Sequence, residues 1–336
     1  MMLASTTSPR HQLLSAWPAG ALVALATLTG ACATDELESD LDDTTFEEVD
    51  GEAFCGLPHG HEAPSGTEAV ARIDVSSSEA ALVASRVPRT SAGLPLWESQ
   101  PGGRVALYLD FGGGYYKGQT YYGPASLDGN KSTFNSEERT AIIRAAMEVA
   151  QAYRGYDVNV TTDKNKAVAS TAYAWLLVTN DAGTSGRAQI DVIDRRPTNP
   201  QGYAGASAVF NPSYSAQRGY LASHELGHMF GLYHTGRYVN GAFKEWSELK
   251  WSRTGDFMGG RSSYFTSGYE WMRLQTSESS SYQDPDAVFA DAAGRVSCGE
   301  CNPDCRCGLD EGDCDVDADC MVGLTCVQRS GTDYCR

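Results

Sequence analysis

The sequence predicts a mixed-sheet domain of the α/β or α+β class, followed by a small disulfide-rich module. Three observations carry this. Between residues 103 and 290, short runs of β-branched and aromatic residues surround one long amphipathic helix, the pattern of strands and helix sharing a core. The net charge of −17 resides in two acidic ends, residues 35–62 and 298–336, and the rest of the chain balances to zero. Eight of the ten cysteines fall within residues 298–335, a density that marks a cross-linked framework in an oxidising compartment.

Taken in order, residues 1–33 read as an export signal. Arg10 precedes the apolar run "AGALVALATLTGACA", whose hydrophobic part is too short to span a bilayer. Its end can be read in two ways. "TGAC", residues 29–32, resembles the lipobox of bacterial lipoproteins and would make Cys32 a lipidated first residue at the cell envelope. "ACA", residues 31–33, is a small-x-small cleavage site and would give a secreted protein. Either way Cys32 is withdrawn from disulfide pairing. Residues 34–102 follow as an acidic tether and pro-segment, and from about residue 63 they read as a Ser, Ala and Pro-rich linker with one helical patch, "SEAALVASRV".

Order begins with a strand in "RVALYLDF" (104–111), closed by glycines. "NSEERTAIIRAAMEVAQAY" then supplies a capping box, Asn135 with Glu138, and apolar residues at helical spacing. "YDVNV", "YAWLLVTN" and "AQIDVID" follow as strands, with "YAGASAVF" as a further candidate. No apolar stretch after the signal is long enough to cross a membrane, so a membrane contact would come only through a lipid at Cys32. The acidic balance offers no basic stripe to neutralise phosphates, which argues against nucleic acid as partner. Nothing in the sequence fixes an oligomeric state.

The chemistry concentrates in "ASHELGHMFGLYH", residues 222–234. On a helix, His224 and His228 are four residues apart and share one face, where both imidazoles can hold one Zn2+. Glu225 projects beside them, placed to take a proton from a water at the metal rather than to bind the ion. Gly231 lets the chain leave the helix, and the turn returns His234 as a third ligand. Three neutral ligands leave a fourth position open, as catalytic zinc sites do. The histidine census agrees: of six, His11 lies in the signal, three form this motif, and His59 and His61 flank Cys55.

The extended motif H-E-x-x-H-x-x-G-x-x-H resembles that of the metzincin zinc endopeptidases. The resemblance implies a bilobal catalytic domain over residues 103–290. Its upper lobe would hold a mixed twisted sheet and the active-site helix, and its irregular lower lobe a methionine turn and a C-terminal helix. It assigns Met258, in "GDFMGG", to the floor beneath the imidazoles. It also implies a protein or peptide substrate extended along an edge strand, for which "GYAGASAVF" is the candidate. "CGLP" at Cys55 is similar to the cysteine switch of matrixin pro-segments, in which a thiolate occupies the open zinc position. Phe54 and His59 stand where that loop carries an Arg and an Asp, and a disulfide to the tail or a bystander thiol are the competing readings.

Two rivals stand beside this reading. A gluzincin-type peptidase would take its third ligand from Glu245 or Glu248, and a cell-surface binding protein would keep the zinc without catalysis. The module at 298–336 carries eight cysteines able to form four bridges, and its acids Asp310, Glu311, Asp313, Asp315, Asp317 and Asp319 offer either Ca2+ ligands or a solvated acidic surface.

Overall fold

The computed structural model describes residues 75–118, 120–193, 196–210, 219–246, 254–259, 268–296, 301, 306–307, 314–328 and 333–336. The chain divides into units Met1–His59 and Gly60–Arg336, and every described residue belongs to the second. Cys32, Cys55, Glu248, Cys298 and Cys305 lie outside the described residues.

Helix α1 (Ser77–Arg86) opens the described chain, capped by Ser76, whose side chain accepts from the Glu79 amide. This stretch reads as linker in sequence, yet Val75, Ala80, Val83, Val87, Leu94 and Trp97 are all buried in the main core. The helical patch was legible. Its burial was not, because the partners that cover it, the helix Ser136–Ala152 and the C-terminal module around Gly323, lie at long sequence separation.

Strand β1 (Val105–Asp110) leads into a hairpin of β2 (Gly114–Tyr116) and β3 (Thr120–Tyr122). Helix α2 (Ser136–Ala152) starts with the expected capping box. It is followed by β4 (Val158–Thr161), the short α3 (Lys164–Ala169), β5 (Ala172–Thr179), β6 (Gly186–Ala188), β7 (Gly202–Gly205) and α4 (Ala206–Phe210). Five of these strands form one sheet in the order β4-β1-β5-β7-β6. All neighbours run parallel except β6, which pairs antiparallel with β7. In β1 and β5 alternate side chains enter two clusters. Leu107, Leu109, Leu176 and Val178 face the main core, while Tyr108, Tyr173 and Trp175 pack with Ala167 of α3 on the opposite face. Burial on both faces explains why these strands read as continuous apolar runs.

Two strand assignments change. "AQIDVID" leaves the sheet after Ala188: Asp191 takes a left-handed φ of 57°, and the amides of Asp191 and Val192 donate to His228 O and Met229 O at the end of the next helix. The β-branched residues there serve helix docking, not strand pairing. "GYAGASAVF" is not an edge strand. Its first residues form β7, paired on both sides, and its remainder turns into α4. Small residues are needed there, since a Cβ at Gly202 would lie 2.7 Å from Met229 Cε. The edges of the sheet are β6 and β4, and β6 is the one beside the next helix.

Helix α5 (Tyr220–Met229) then runs beneath the sheet. The amide of its N-cap, Gly219, is held by α2: Glu148, buried and ion-paired with Arg144 at 3.2 Å, accepts from Gly219 N at 2.8 Å. A carboxylate at a helix N-terminus satisfies an otherwise unpaired donor and complements the helix dipole.

Below lie β8 (Thr235–Val239) and β9 (Ala242–Glu245), joined at Asn240 and Gly241, both with positive φ as a tight hairpin requires. A parallel pair, β10 (Thr254–Asp256) with β11 (Gly268–Glu270), comes next. Strands β12 (Leu274–Thr276) and β13 (Tyr282–Gln283) complete a sheet of order β13-β12-β8-β9. Helix α6 (Pro285–Ala292) closes the domain, with Phe289 fully buried against Tyr153, Phe230 and Trp271 at ring separations of 5.3, 4.9 and 4.8 Å.

In the C-terminal module β14 (Cys326–Val327) pairs with β15 (Tyr334–Cys335), and the described cysteines form the disulfides Cys301–Cys307, Cys314–Cys326 and Cys320–Cys335. Its acids hold turns: Asp319 accepts from the amides of Asp315 and Val316, and Asp317 from Cys326. The module packs on α1 and the strap after it. Trp97 Nε1 donates to Val322 O at 3.0 Å, and Arg86 donates to the carbonyls of Gly323 and Arg336.

Candidate active site

Helix α5 carries His224 and His228 one turn apart and ends as its spacing demands. Gly231 adopts φ 104°, a conformation a side chain would strain, and its amide donates to His228 O at 2.9 Å. The turn that follows delivers His234 to the same point, with ring centroids 4.8, 5.1 and 5.0 Å apart across the three pairs. One nitrogen from each imidazole lies within 4.8 Å of the others.

Each ring is aimed by its other nitrogen. His224 Nδ1 bonds Phe257 O at 2.6 Å, His228 Nδ1 bonds Leu232 O at 2.7 Å, and His234 Nδ1 meets Glu245 Oε1 at 3.0 Å. A carbonyl or carboxylate oxygen can only accept, so each Nδ1 carries the proton and each Nε2 keeps a bare lone pair. Burial, reinforced by the neighbouring imidazoles, pulls His224 down to about 3 and His228 down to about 4. His224 and His228 are therefore neutral near pH 7, as metal ligands must be. Glu245, one of the residues weighed as an alternative ligand, instead orients His234, and that contact holds its carboxyl below the usual range.

Met258 is fully buried beneath α5. A Cβ at Gly227 would sit 2.7 Å from its Sδ, so the helix rests directly on the thioether. Thr235, next to His234, donates from its amide to Met258 O at 3.0 Å and from its hydroxyl to Asp256. Asp256 is fully buried and also accepts from Met272 N at 2.9 Å, while burial pushes its carboxyl up to about 7. It ties the methionine segment to the strand of the third histidine. The sequence offered no periodic signal for this pairing.

Glu225 is 3% exposed, and its Oε2 is buried with no hydrogen-bond partner among the described residues. Burial alone pushes its carboxyl up to about 8. An unpartnered buried carboxylate oxygen beside three converged imidazoles fits a metal ion and its water, because a cation there would offset that desolvation. The group lies in a cavity of about 520 Å³ bounded by β6, α5 and Ser277–Glu278. Gly186 of β6 is in contact with it: a Cβ built there would overlap the Glu225 carboxylate. Gly186→Ala is expected to displace Glu225 and lower kcat by at least about tenfold while zinc content holds, since a 1 Å misplacement costs on the order of 100-fold. An alanine variant with full kcat would show that the carboxylate has room to spare.

Residues 123–235 match the family model of metallo-peptidase family M12B, reprolysin-like. The chain carries a zinc metallopeptidase domain. The matched stretch contains α2, strands β4 to β7, α5 and all three histidines, and stops before Glu245 and Met258. No curated protein and no solved structure matches the chain. The gluzincin-type and non-catalytic alternatives draw no support from the metallopeptidase match or from the His234–Glu245 contact.

Proposed function

We propose that the protein is an exported zinc endopeptidase of the metzincin type, held latent before activation, with Glu225 as general base. The observation that carries this is the unpartnered buried Oε2 of Glu225 beside the three imidazoles. His224, His228 and His234 would hold the zinc through Nε2. Zinc, when bound, supplies Lewis-acid polarisation of a scissile carbonyl and lowers the pKa of a water toward about 7. Glu225 accepts the proton of the attacking water and passes it to the leaving amine. Gly186 keeps the carboxylate close to the edge strand, and the outer edge of β6, which has no strand partner among the described residues, receives the extended substrate by backbone pairing.

The remaining parts rest on sequence. Cys55, in "CGLP", is proposed as the latency switch, its thiolate taking the open zinc position, and Cys32 as the lipid-bearing residue of a cell-envelope protein. The test compares zinc content and peptide hydrolysis of the chain lacking residues 1–33 with its Cys55→Ala variant. Zinc in both, with hydrolysis at least about tenfold faster in the variant, is the expected result; equal rates would reject the switch, and zinc without hydrolysis in either would reject the peptidase.

A further inference from the structure

Strand β6 presents two faces. Gly186 turns toward Glu225 and the zinc helix, so Arg187, the next residue, projects to the opposite face of the sheet. Its register partner on β7 is Tyr203. Tyr203 stacks on Tyr122 at 5.0 Å and meets Tyr116 edge-on at 5.3 Å, so the hairpin of β2 and β3 stands as an aromatic wall over this end of the sheet. Arg187 lies opposite Tyr203 in the ladder and so borders this wall, and its guanidinium opposes the rise that burial gives the hydroxyl pKa of Tyr116 and Tyr122.

Arg187 is exposed and also lines the catalytic cavity. The protein has 43 acidic residues against 26 Lys and Arg. Even so, among the described residues no carboxylate lies within ion-pair distance of Arg187. In a chain this acidic, a cation at the rim of a cleft with no carboxylate partner among the described residues has its charge available for something that enters the cleft.

We infer that Arg187 is a specificity-determining residue, selecting an Asp or Glu side chain on the substrate residue that lies opposite it. This rests on the peptidase reading above. A peptide added to the open edge of β6 places the residue opposite Arg187 with its Cβ about 4.5–5.5 Å away and on the same face. A guanidinium offers a planar fork that matches a carboxylate. The tyrosine wall excludes water on one side, which strengthens that attraction over a fully solvated pair. Because Gly186 abuts Glu225, the selected position is next to the scissile bond.

The test profiles cleavage of peptides that differ at single positions, in the Cys55→Ala background. The expected result is a preference on the order of tenfold for Asp or Glu at one position, flattened by Arg187→Ala and inverted toward Lys or Arg by Arg187→Glu. Cleavage without an acidic preference, or an acidic preference that survives Arg187→Glu, overturns the inference and leaves the peptidase reading standing. A zinc-loaded protein that cleaves no peptide overturns both. Competition by an acidic and a neutral peptide, read as binding to Glu225→Gln, gives the same ordering without turnover.

Discussion

Replacing Glu225 by Gln is expected to lower kcat/KM by about 100- to 10,000-fold, the range that a positioned general base contributes, with zinc content unchanged. The amide keeps the shape that fits against Gly186 and removes the proton acceptor. Stability should move the other way. The wild-type carboxyl is buried without a partner among the described residues, and the amide avoids the desolvation cost that an ionised carboxylate would incur there, a cost that grows as pH rises through about 8. A variant with lost turnover and an equal or higher Tm is therefore the signature of a group kept for chemistry. Retention of near-native turnover would remove Glu225 from the mechanism.

His234→Ala should abolish stable zinc binding, and Glu245→Ala should weaken it by only about 10–100-fold, the usual effect of losing the group that orients a ligand. The ordering follows from the contact between His234 Nδ1 and Glu245 at 3.0 Å. His224 and His228 are oriented by backbone carbonyls, which no substitution removes. Glu245 is thus the one orienting group of the three that mutation can delete. Chelator competition measures both affinities without reference to activity. If Glu245→Ala lost zinc as completely as His234→Ala, the carboxylate would have to be a ligand.

The zinc helix was legible because its determinants are local. Two histidines at i and i+4, a left-handed glycine and a third histidine after the turn are all set by residues 224–234, and the capping box of α2 is likewise written in consecutive residues. The edge strand was not legible, for a physical reason. β6 is only Gly186–Ala188, too short for alternation to show, and its defining property is the glycine that clears Glu225. The more β-like "AQIDVID" was drawn away by hydrogen bonds to the end of α5. Thr235 with Asp256, and Glu148 with Gly219, are pairs separated by 21 and 71 residues, joined only when the chain folds. Such partners carry no spacing that a single sequence reveals.

The strap from Pro95 to Ser99 limits where the chain could be cut without loss of structure. Trp97 N donates to Thr162 Oγ1 and Ser99 N to Val160 O, and Glu98 bridges Thr161, so the strap borders the sheet along β4 while the indole of Trp97 grips the C-terminal module. A cut at residue 102 would strip the sheet of a neighbour and free the module from its anchor. Any shortening that leaves this packing intact would have to stop upstream of Val75, because α1 and the strap together form the surface on which the disulfide module sits.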